Sequence, residues 1–432
     1  MLSRFRLQEH GTTVKTEFLA GFTTFLTMMY IVPVNGFILS DAGLPMGAVI
    51  TATALITILA TIFNGLWSNT PIAMSVGMGL NAYFSYGLVL GMGIAWQTAL
   101  GIVFLSGLLF VILSFTNFRV WLMTSIPVDL RRAISAGIGA FIAFIGLSQM
   151  GVIADSKATL VTLGNLSDPN VLLGITGLFI TLALYTFRVK GAFIVAILVT
   201  SLIGWSFGIG ELPKGVIGMP ESISPILLEL DIMSALSLAL LPVVITFLLT
   251  DMFDTLGTLT GVGTRANLFQ TNSKDDKELE KTLEADAIAT VGGSLIGVST
   301  TTAFIESASG VEEGGRTGLT SLFTGLFFIL TLFMLPLFKS IPANAIYPVL
   351  VAVGILMFTE LGNINFKNND LAVTSASFLM VVLMPLTYSI TNGFAAGFIV
   401  YTALKLLKRE FEDINAGLIV ITLISLLVFI LH

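Results

Sequence analysis

The stretch 236-LSLALLPVVITFLLTDMFDTLGTLTGVG-263 is apolar enough to cross a bilayer, yet it carries two carboxylates, Asp251 and Asp254. A charge at bilayer depth costs several kcal/mol, from about 2.5 upward on insertion scales, and is seldom there without a task. A third acid, Glu306, ends the polar run 297-GVSTTTAFIE-306 beside another apolar region. Three acids so placed point to a transport site for a hydrogen-bonding solute, a proton, or both.

Working outward, the whole chain fits a polytopic membrane protein. Of its 432 residues, 55% are hydrophobic and 11% charged, and mean hydropathy is +0.96, far from the profile of soluble chains. Residues 1–16 carry Arg4, Arg6, Glu9 and Lys15 without a small-residue cleavage pattern, so no cleavable signal is expected. The absence of cysteine excludes disulfides and thiolate-bound metals. The two histidines, His10 and His432, lie near the ends, so proton handling inside the membrane falls to carboxylates by elimination. No nucleotide-binding fingerprint or metal-spaced cluster occurs. Neither a cofactor, nor a nucleic-acid partner, nor ATP-driven transport within this chain is expected. An intramembrane enzyme is disfavoured because no nucleophile or metal set accompanies the acids.

Spanning helices need about 20 apolar residues. Such stretches are read at 17–39, 46–66, 77–91, 94–115, 128–148, 170–187 and 191–208. A second set lies at 236–261, 284–298, 305–314, 317–338, 343–360, 370–386 and 389–407. The apolar stretch 415–431 is either a fifteenth span or an interfacial helix. With the N-terminus inside, only Lys157, Lys214 and Lys339 of the 20 basic residues fall outside. That bias is the positive-inside signature, and it supports a multi-pass membrane protein with a cytoplasmic N-terminus.

The fold class expected is an all-α membrane protein of about 14 segments in a seven-plus-seven inverted repeat. RRAISAGIGAFIAFIGL (131–147) echoes NAIYPVLVAVGILMFTEL (344–361), and VKGAFIVAILVTSLIG (189–204) echoes TNGFAAGFIVYTALKLL (391–407). Inverted repeats place a substrate near the midplane at their interface. The third and tenth segments, NTPIAMSVGMGLNAYF (69–84) and VSTTTAFIESASG (298–310), each begin with an irregular run and then enter a short helix. Irregular backbone at that depth must be satisfied by protein or by a water-filled cavity. Two such segments can pair through their extended parts and aim helix N-termini at a central solute. Gly77 and Gly79 would let backbone approach it.

Each candidate has a duller alternative. Asp251 and Asp254 share one helix face, extended by Thr250, Thr255 and Thr258. One could contact solute and the other tune protonation, since burial and a like charge both favour a neutral carboxyl; either could instead brace a broken helix. Glu306 could accept from a flat heterocycle or cap the following half-helix. Asn81 could offer a donor and an acceptor to solute, or tie two helices together. Phe22, Phe25 and Phe304 could stack on a planar ligand, but among 33 phenylalanines packing is the default for each. Glu312, Glu313 and the segment 265–286 read as solvated, inner-surface features.

At FLLTDMFDTLGTLTGVG (247–263), SVGMGLNAYF (75–84), TTTAFIESASGVEEGGRTGL (300–319) and MPLTYSITNG (384–393) the chain resembles the AzgA-like purine permeases of the nucleobase–cation symporter group. The resemblance covers essentially the whole chain. It implies a uracil-permease-like core domain (17–115 and 236–338) and a gate domain (128–208 and 343–407), flanked by a cytoplasmic stretch (1–16) and an apolar tail (408–432). It also places Asp251 and Glu306 as substrate carboxylates, and Asn81 and Asp254 at positions implicated in the family. The uracil branch has a histidine four residues after its carboxylate; here that place is Thr255, so a histidine-based proton scheme does not carry over. A homodimer is an expectation from the wider group.

The expected function is secondary, proton-coupled import of a purine nucleobase: guanine/hypoxanthine or adenine. Glu306 and Asp251 would bind the base, backbone around Gly77–Asn81 and Ala303, Phe304 and Ile305 would complete its edge, and Asp251 or Asp254 would take the proton. Sodium is the less favoured coupling ion. The rivals are an anion or carboxylate transporter on the same fold, disfavoured because neither broken segment holds a basic residue, and a channel, which could not accumulate solute.

Overall fold

The structure, a computed structural model, describes residues 2–116, 125–266, 277–366 and 370–430. The expected inner-face residues Arg119, Lys274 and Lys367, and the terminal His432, lie outside the described residues.

The first apolar stretch is two helices, α1 (Val14–Met28) and α2 (Ile31–Asp41). Pro33 explains the break: it lacks the N–H that would bond Met29, and its ring crowds that carbonyl. After α3 (Met46–Trp67) comes the first irregular run, with strand β1 (Met74–Val76), short helix α4 (Met78–Ala82) and a π-helical continuation over Tyr83–Gly91. Helices α5 (Trp96–Ser114) and α6 (Val128–Gln149) follow. An exposed hairpin, β2 (Ile153–Ser156) with β3 (Leu160–Leu163), interrupts the helical pattern. Helix α7 (Pro169–Thr186) starts with proline in its first turn under an Asp168 cap. Helix α8 (Ala192–Ser206) starts after Gly191, whose φ of 68° suits glycine.

Next come α9 (Ile232–Ala235), α10 (Leu241–Ala266) and α11 (Lys277–Leu295). Helix α10 begins at Leu241, five residues later than the stretch read from sequence, with Pro242 in its first turn, where proline is tolerated. Helix α11 begins earlier than the expected 284, and residues 277–286 of the segment read as solvated form its first half. Glu278 and Glu280 in its first turn complement the helix dipole. The second irregular run holds β4 (Thr301–Ala303) and α12 (Ser307–Glu312). The expected 317–338 segment divides into α13 (Gly318–Leu332) and α14 (Leu335–Ser340), with Pro336 opening the latter. Helices α15 (Ala343–Phe358), α16 (Leu371–Leu386), α17 (Ile390–Leu407) and α18 (Ala416–Ile430) complete the chain.

Eight of these helical runs, counting α1 and α2 as one, are long and apolar enough to cross a membrane; α8, α13, α16 and α18 are shorter apolar helices. They pack in two groups. In one, α3 lies on α13, α1 on α13, and α11 on both α3 and α5. In the other, α6 lies on α15 and α16, α7 on α15 and α8, and α17 on α16. Glycine pairs set the closest approaches. A Cβ on Gly318 would overlap Gly65 O, and one on Gly354 would overlap Gly139 O. Apposed small residues let helix backbones meet where lipid supplies no hydrophobic drive between helices. The two echoing sequences 131–147 and 344–361 thus lie largely on α6 and α15, helices packed face to face.

A candidate substrate site between two broken segments

Strands β1 and β4 pair antiparallel, with Met74 opposite Ala303, Ser75 opposite Thr302 and Val76 opposite Thr301. Gly77 N donates to Thr300 O at 2.9 Å, and Phe304 N donates to Ala73 O at 2.9 Å, extending the ladder at both ends. Pro71 and the β-branched run Thr300–Thr302 disfavour helix here. All six paired residues are buried, so their remaining backbone groups need partners.

Two threonines supply them in the same way. Thr61 Oγ1 on α3 donates to Met74 O at 2.9 Å and accepts from Met74 N at 3.0 Å. Thr290 Oγ1 on α11 lies 2.8 Å from Thr301 O and accepts from Thr301 N at 3.2 Å. Asn64 Nδ2 donates to Ile72 O at 2.8 Å, and Ser307 Oγ accepts from Ala73 N at 3.0 Å. This satisfied backbone makes an extended pair tolerable at membrane depth.

Four carboxylates gather around this pair. Glu306 occupies the N-cap position of α12, but its side chain caps no N–H of that helix. Its Oε1 instead accepts from Tyr30 Oη at 2.6 Å. Tyr30 stands at the α1–α2 break, is 1% exposed, and meets the Phe193 ring of α8 edge-on at 4.9 Å. Asp254 is partly exposed and close enough to Glu306 for their charges to interact. Asp251, one turn earlier, turns toward α11, where its Oδ2 lies 3.0 Å from Thr290 Oγ1. Thr290 has one proton for two acceptors, Asp251 and Thr301 O. Asp251 Oδ1 and Thr250 Oγ1 are buried with no partner among the described residues.

The fourth acid, Asp286, was not singled out in the sequence, where it ends a charged run and reads as a solvated residue. The structure buries it completely. Its Oδ1 accepts from Ala303 N at 2.8 Å, and its Oδ2 accepts from Thr255 Oγ1 at 2.7 Å. Thr255 Oγ1 also lies 2.7 Å from Thr302 Oγ1. Asp286 therefore ties α11 to α10 and β4. The available sequence signal was helical spacing: Asp286 lies four residues before Thr290, on the same face of one helix.

The other expected residues are placed as follows. Gly77 precedes α4, and a Cβ there would meet Thr302 Cγ2 at 3.1 Å. At Gly79 it would meet Ile138 Cγ2 of α6 at 2.7 Å, so α4 lies against the second helix group. Ala303 and Phe304 are buried within and beside β4. Asn81 is fully buried; its Nδ2 donates to Asn35 Oδ1 at 2.8 Å, and its Oδ1 has no partner among the described residues. Phe25 packs on Phe327 and Phe328, and Phe22 on Phe327, which is a helix-packing role. Glu313 pairs with Lys190 across the α12 and α7–α8 connections. No Lys or Arg among the described residues bonds the four site acids.

This architecture is that of a membrane transport protein. The transmembrane domain of a cyanobacterial bicarbonate transporter, BicA, superposes with a TM-score of 0.64, at 16% identity, over 86% of this chain and 95% of that one. At the level of sequence the chain belongs to the Permease family Xan_ur_permease, matched over residues 15–396. It is thus a multi-pass membrane permease, a transporter rather than an enzyme. Similar relatives include a putative permease of Methanocaldococcus jannaschii, 47% identical over 99% of this chain and 97% of that protein. The adenine permease AdeP of Escherichia coli is 41% identical over 99% and 95%. The guanine/hypoxanthine permease PbuO of Bacillus subtilis is 41% identical over 97% and 98%.

Proposed function

We propose that the chain imports a purine nucleobase by proton symport, with Glu306 and Asp254 facing the base beside the β1–β4 pair. The observation that carries this reading is the arrangement at Glu306. A carboxylate at a helix N-cap position ordinarily bonds the first-turn N–H groups. Here it is held by Tyr30 through Oε1 instead, while the first N–H groups of α12 bond the carbonyls of Phe304, Ile305 and Glu306, so the acid keeps its second oxygen for a solute. A planar heterocycle with adjacent N–H groups suits such an acceptor, whereas an anion would meet carboxylates without a compensating cation.

Asp251 is the better candidate for the proton. Its Oδ1 has no donor, and Thr290 divides one proton between Asp251 and Thr301 O. Protonating Asp251 lets it donate, which relieves that shortage in a site where an unmade buried bond costs about 1–3 kcal/mol. Substrate contact and proton uptake are then separated on one helix face by a single turn, and linked through β4.

The matched threonine clamps, Thr61 on β1 and Thr290 on β4, support an inverted seven-plus-seven repeat with its axis between the strands. The α1–α5 and α10–α14 helices act as the core domain, and α6–α8 with α15–α17 as the gate. Movement of core against gate gives alternating access, with the N-terminus cytoplasmic in the plasma membrane. A homodimer is a further part of this reading.

Uptake of radiolabelled adenine, guanine and hypoxanthine, in cells lacking their own purine permeases, tests it. Accumulation abolished by a protonophore and by Glu306→Gln, at unchanged surface expression, is the expected result. Accumulation that follows a sodium gradient and ignores the protonophore would overturn the proton coupling. Failure to accumulate any purine would overturn the substrate.

A further inference from the structure

A polar chain inside the first helix group has a fixed direction. It starts at a backbone carbonyl, which can only accept. Thr53 Oγ1 donates to Val49 O at 2.7 Å. Having spent its proton, that hydroxyl can only receive from Asn35, whose Nδ2 donates to it at 2.8 Å. Asn35 therefore turns its Oδ1 to Asn81, whose Nδ2 donates at 2.8 Å. The chain ends at Asn81 Oδ1, a carbonyl oxygen with no partner among the described residues. Asn35, Thr53 and Asn81 are each 0% exposed. The free oxygen is buried away from bulk water, and an unpaired buried acceptor is costly.

We infer that Asn35 and Thr53 are positioning residues that set Asn81 as an obligate hydrogen-bond acceptor, so that this corner of the site selects bases presenting an N–H donor. An asparagine alone reads donors and acceptors equally well by flipping its amide. The chain removes the flip, because turning Asn81 would set its oxygen against Asn35 Oδ1. Selectivity at Asn81 is thus decided one and two side chains away, on α2 and α3, by groups the base does not touch. A site built to hydrogen-bond a group rejects the analogue lacking it much more strongly than an apolar pocket does. The inference rests on the nucleobase reading above, and adds to it Asn81, on the short helix α4 that follows β1, as a residue meeting the base in a fixed orientation.

The test is competition of radiolabelled adenine or hypoxanthine uptake, whichever the protein carries, by purine and by ring- and amino-methylated purines. Each competitor removes one donor. In the wild type, loss of the donor facing Asn81 should raise the inhibition constant about 10-fold or more, as expected for a buried bond of about 1–3 kcal/mol. Thr53→Val and Asn35→Leu should shrink that penalty several-fold at equal surface expression. Thr53→Ser, which keeps the hydroxyl, should restore it. A merely structural role would lower maximal uptake for every substrate and leave the penalty between competitors unchanged. A donor-deletion penalty that survives Thr53→Val, or a wild type that shows none, would overturn the inference while leaving nucleobase transport standing. Absence of any purine uptake would instead mark failure of the underlying reading.

Discussion

Tyr347 Oη on α15 donates to Asp41 Oδ2 at 2.9 Å, and the same oxygen accepts from Tyr86 Oη at 2.6 Å. Asp41 ends α2, Tyr86 follows α4 and Tyr347 belongs to the other helix group, so one carboxylate oxygen bridges the two groups. On the face carrying the start of α1, Lys190 and Glu313 make a second bridge. Both bridges are closed here. If the groups move against one another during transport, each opening should break one of them.

Tyr347→Phe removes a donor without removing the ring. The Asp41 side should then open more often. The chain has no cysteine, so a single Ala343→Cys, lining the cavity of about 560 Å³ beside Phe37 and Met46, gives a clean probe. Its labelling by a membrane-impermeant maleimide should rise several-fold in the Tyr347→Phe background. An unchanged rate would show that the bridge does not hold the pathway shut.

Asp286→Asn keeps an oxygen for Ala303 N, whereas Asp286→Ala leaves that N–H and Thr255 without their acceptor. Leaving a buried donor without its acceptor costs about 1–3 kcal/mol. Asp286→Ala should therefore lower the melting temperature in detergent by several degrees and abolish uptake, while Asp286→Asn retains more of both. Equal behaviour of the two variants would contradict the tethering role.

Glu17 is fully buried and takes bonds from Arg316 N, Thr317 N, Thr320 N and Thr320 Oγ1, closing the N-terminus of α13. An acid there also favours the helix dipole. Glu17→Ala should cost about 3 kcal/mol, read as reduced surface expression and a lower melting temperature. Little change in either would mean that water replaces the carboxylate.

Lys405 Nζ reaches Asp370 at 2.8 Å, Glu410 at 2.6 Å and Asp413 at 2.7 Å, pinning the elbow before α18. Asp370 sits just before α16. Partial burial pushes its carboxyl up, but bonds from Lys405 and from Ala372 N outweigh this and hold it below the usual carboxylate range. A lowered value contributes stability above the ordinary carboxylate pKa of about 3.9. That contribution is lost as pH falls through the lowered value. Proteolysis between α17 and α18 should increase below about pH 3.9 in the wild type, and Lys405→Met should make the elbow labile already at neutral pH.

Much of the fold was legible because membranes impose simple rules. Long apolar stretches became helices, and the runs at 69–84 and 298–310 broke where proline and threonine disfavour helix. The unexpected boundaries trace to prolines: Pro33, Pro242 and Pro336 each moved or divided a helix. The hairpin at 153–163 was not legible, since its exposed residues carry no burial pattern. At the site, Glu306, Asp251, Asp254 and Asn81 were conspicuous as polar groups in apolar surroundings. Asp286 was hidden by its neighbours, because a charged run masks one buried member. Tyr30 and Asn35 were hidden because single polar side chains are common in such helices.

The sequence by itself determined that this chain lives in a membrane, that it breaks two of its spans, and that carboxylates sit beside the breaks, since each follows from the cost of polar groups in hydrocarbon. Only the tertiary structure decided what each carboxylate lies against. Asp251 and Asp254 differ by one turn of helix, yet one bonds Thr290 of α11 and the other lies within electrostatic reach of Glu306. Hydrogen-bond direction, burial and the free oxygen of Asn81 depend on which helices stand opposite, and that pairing is made by contacts distant in the chain.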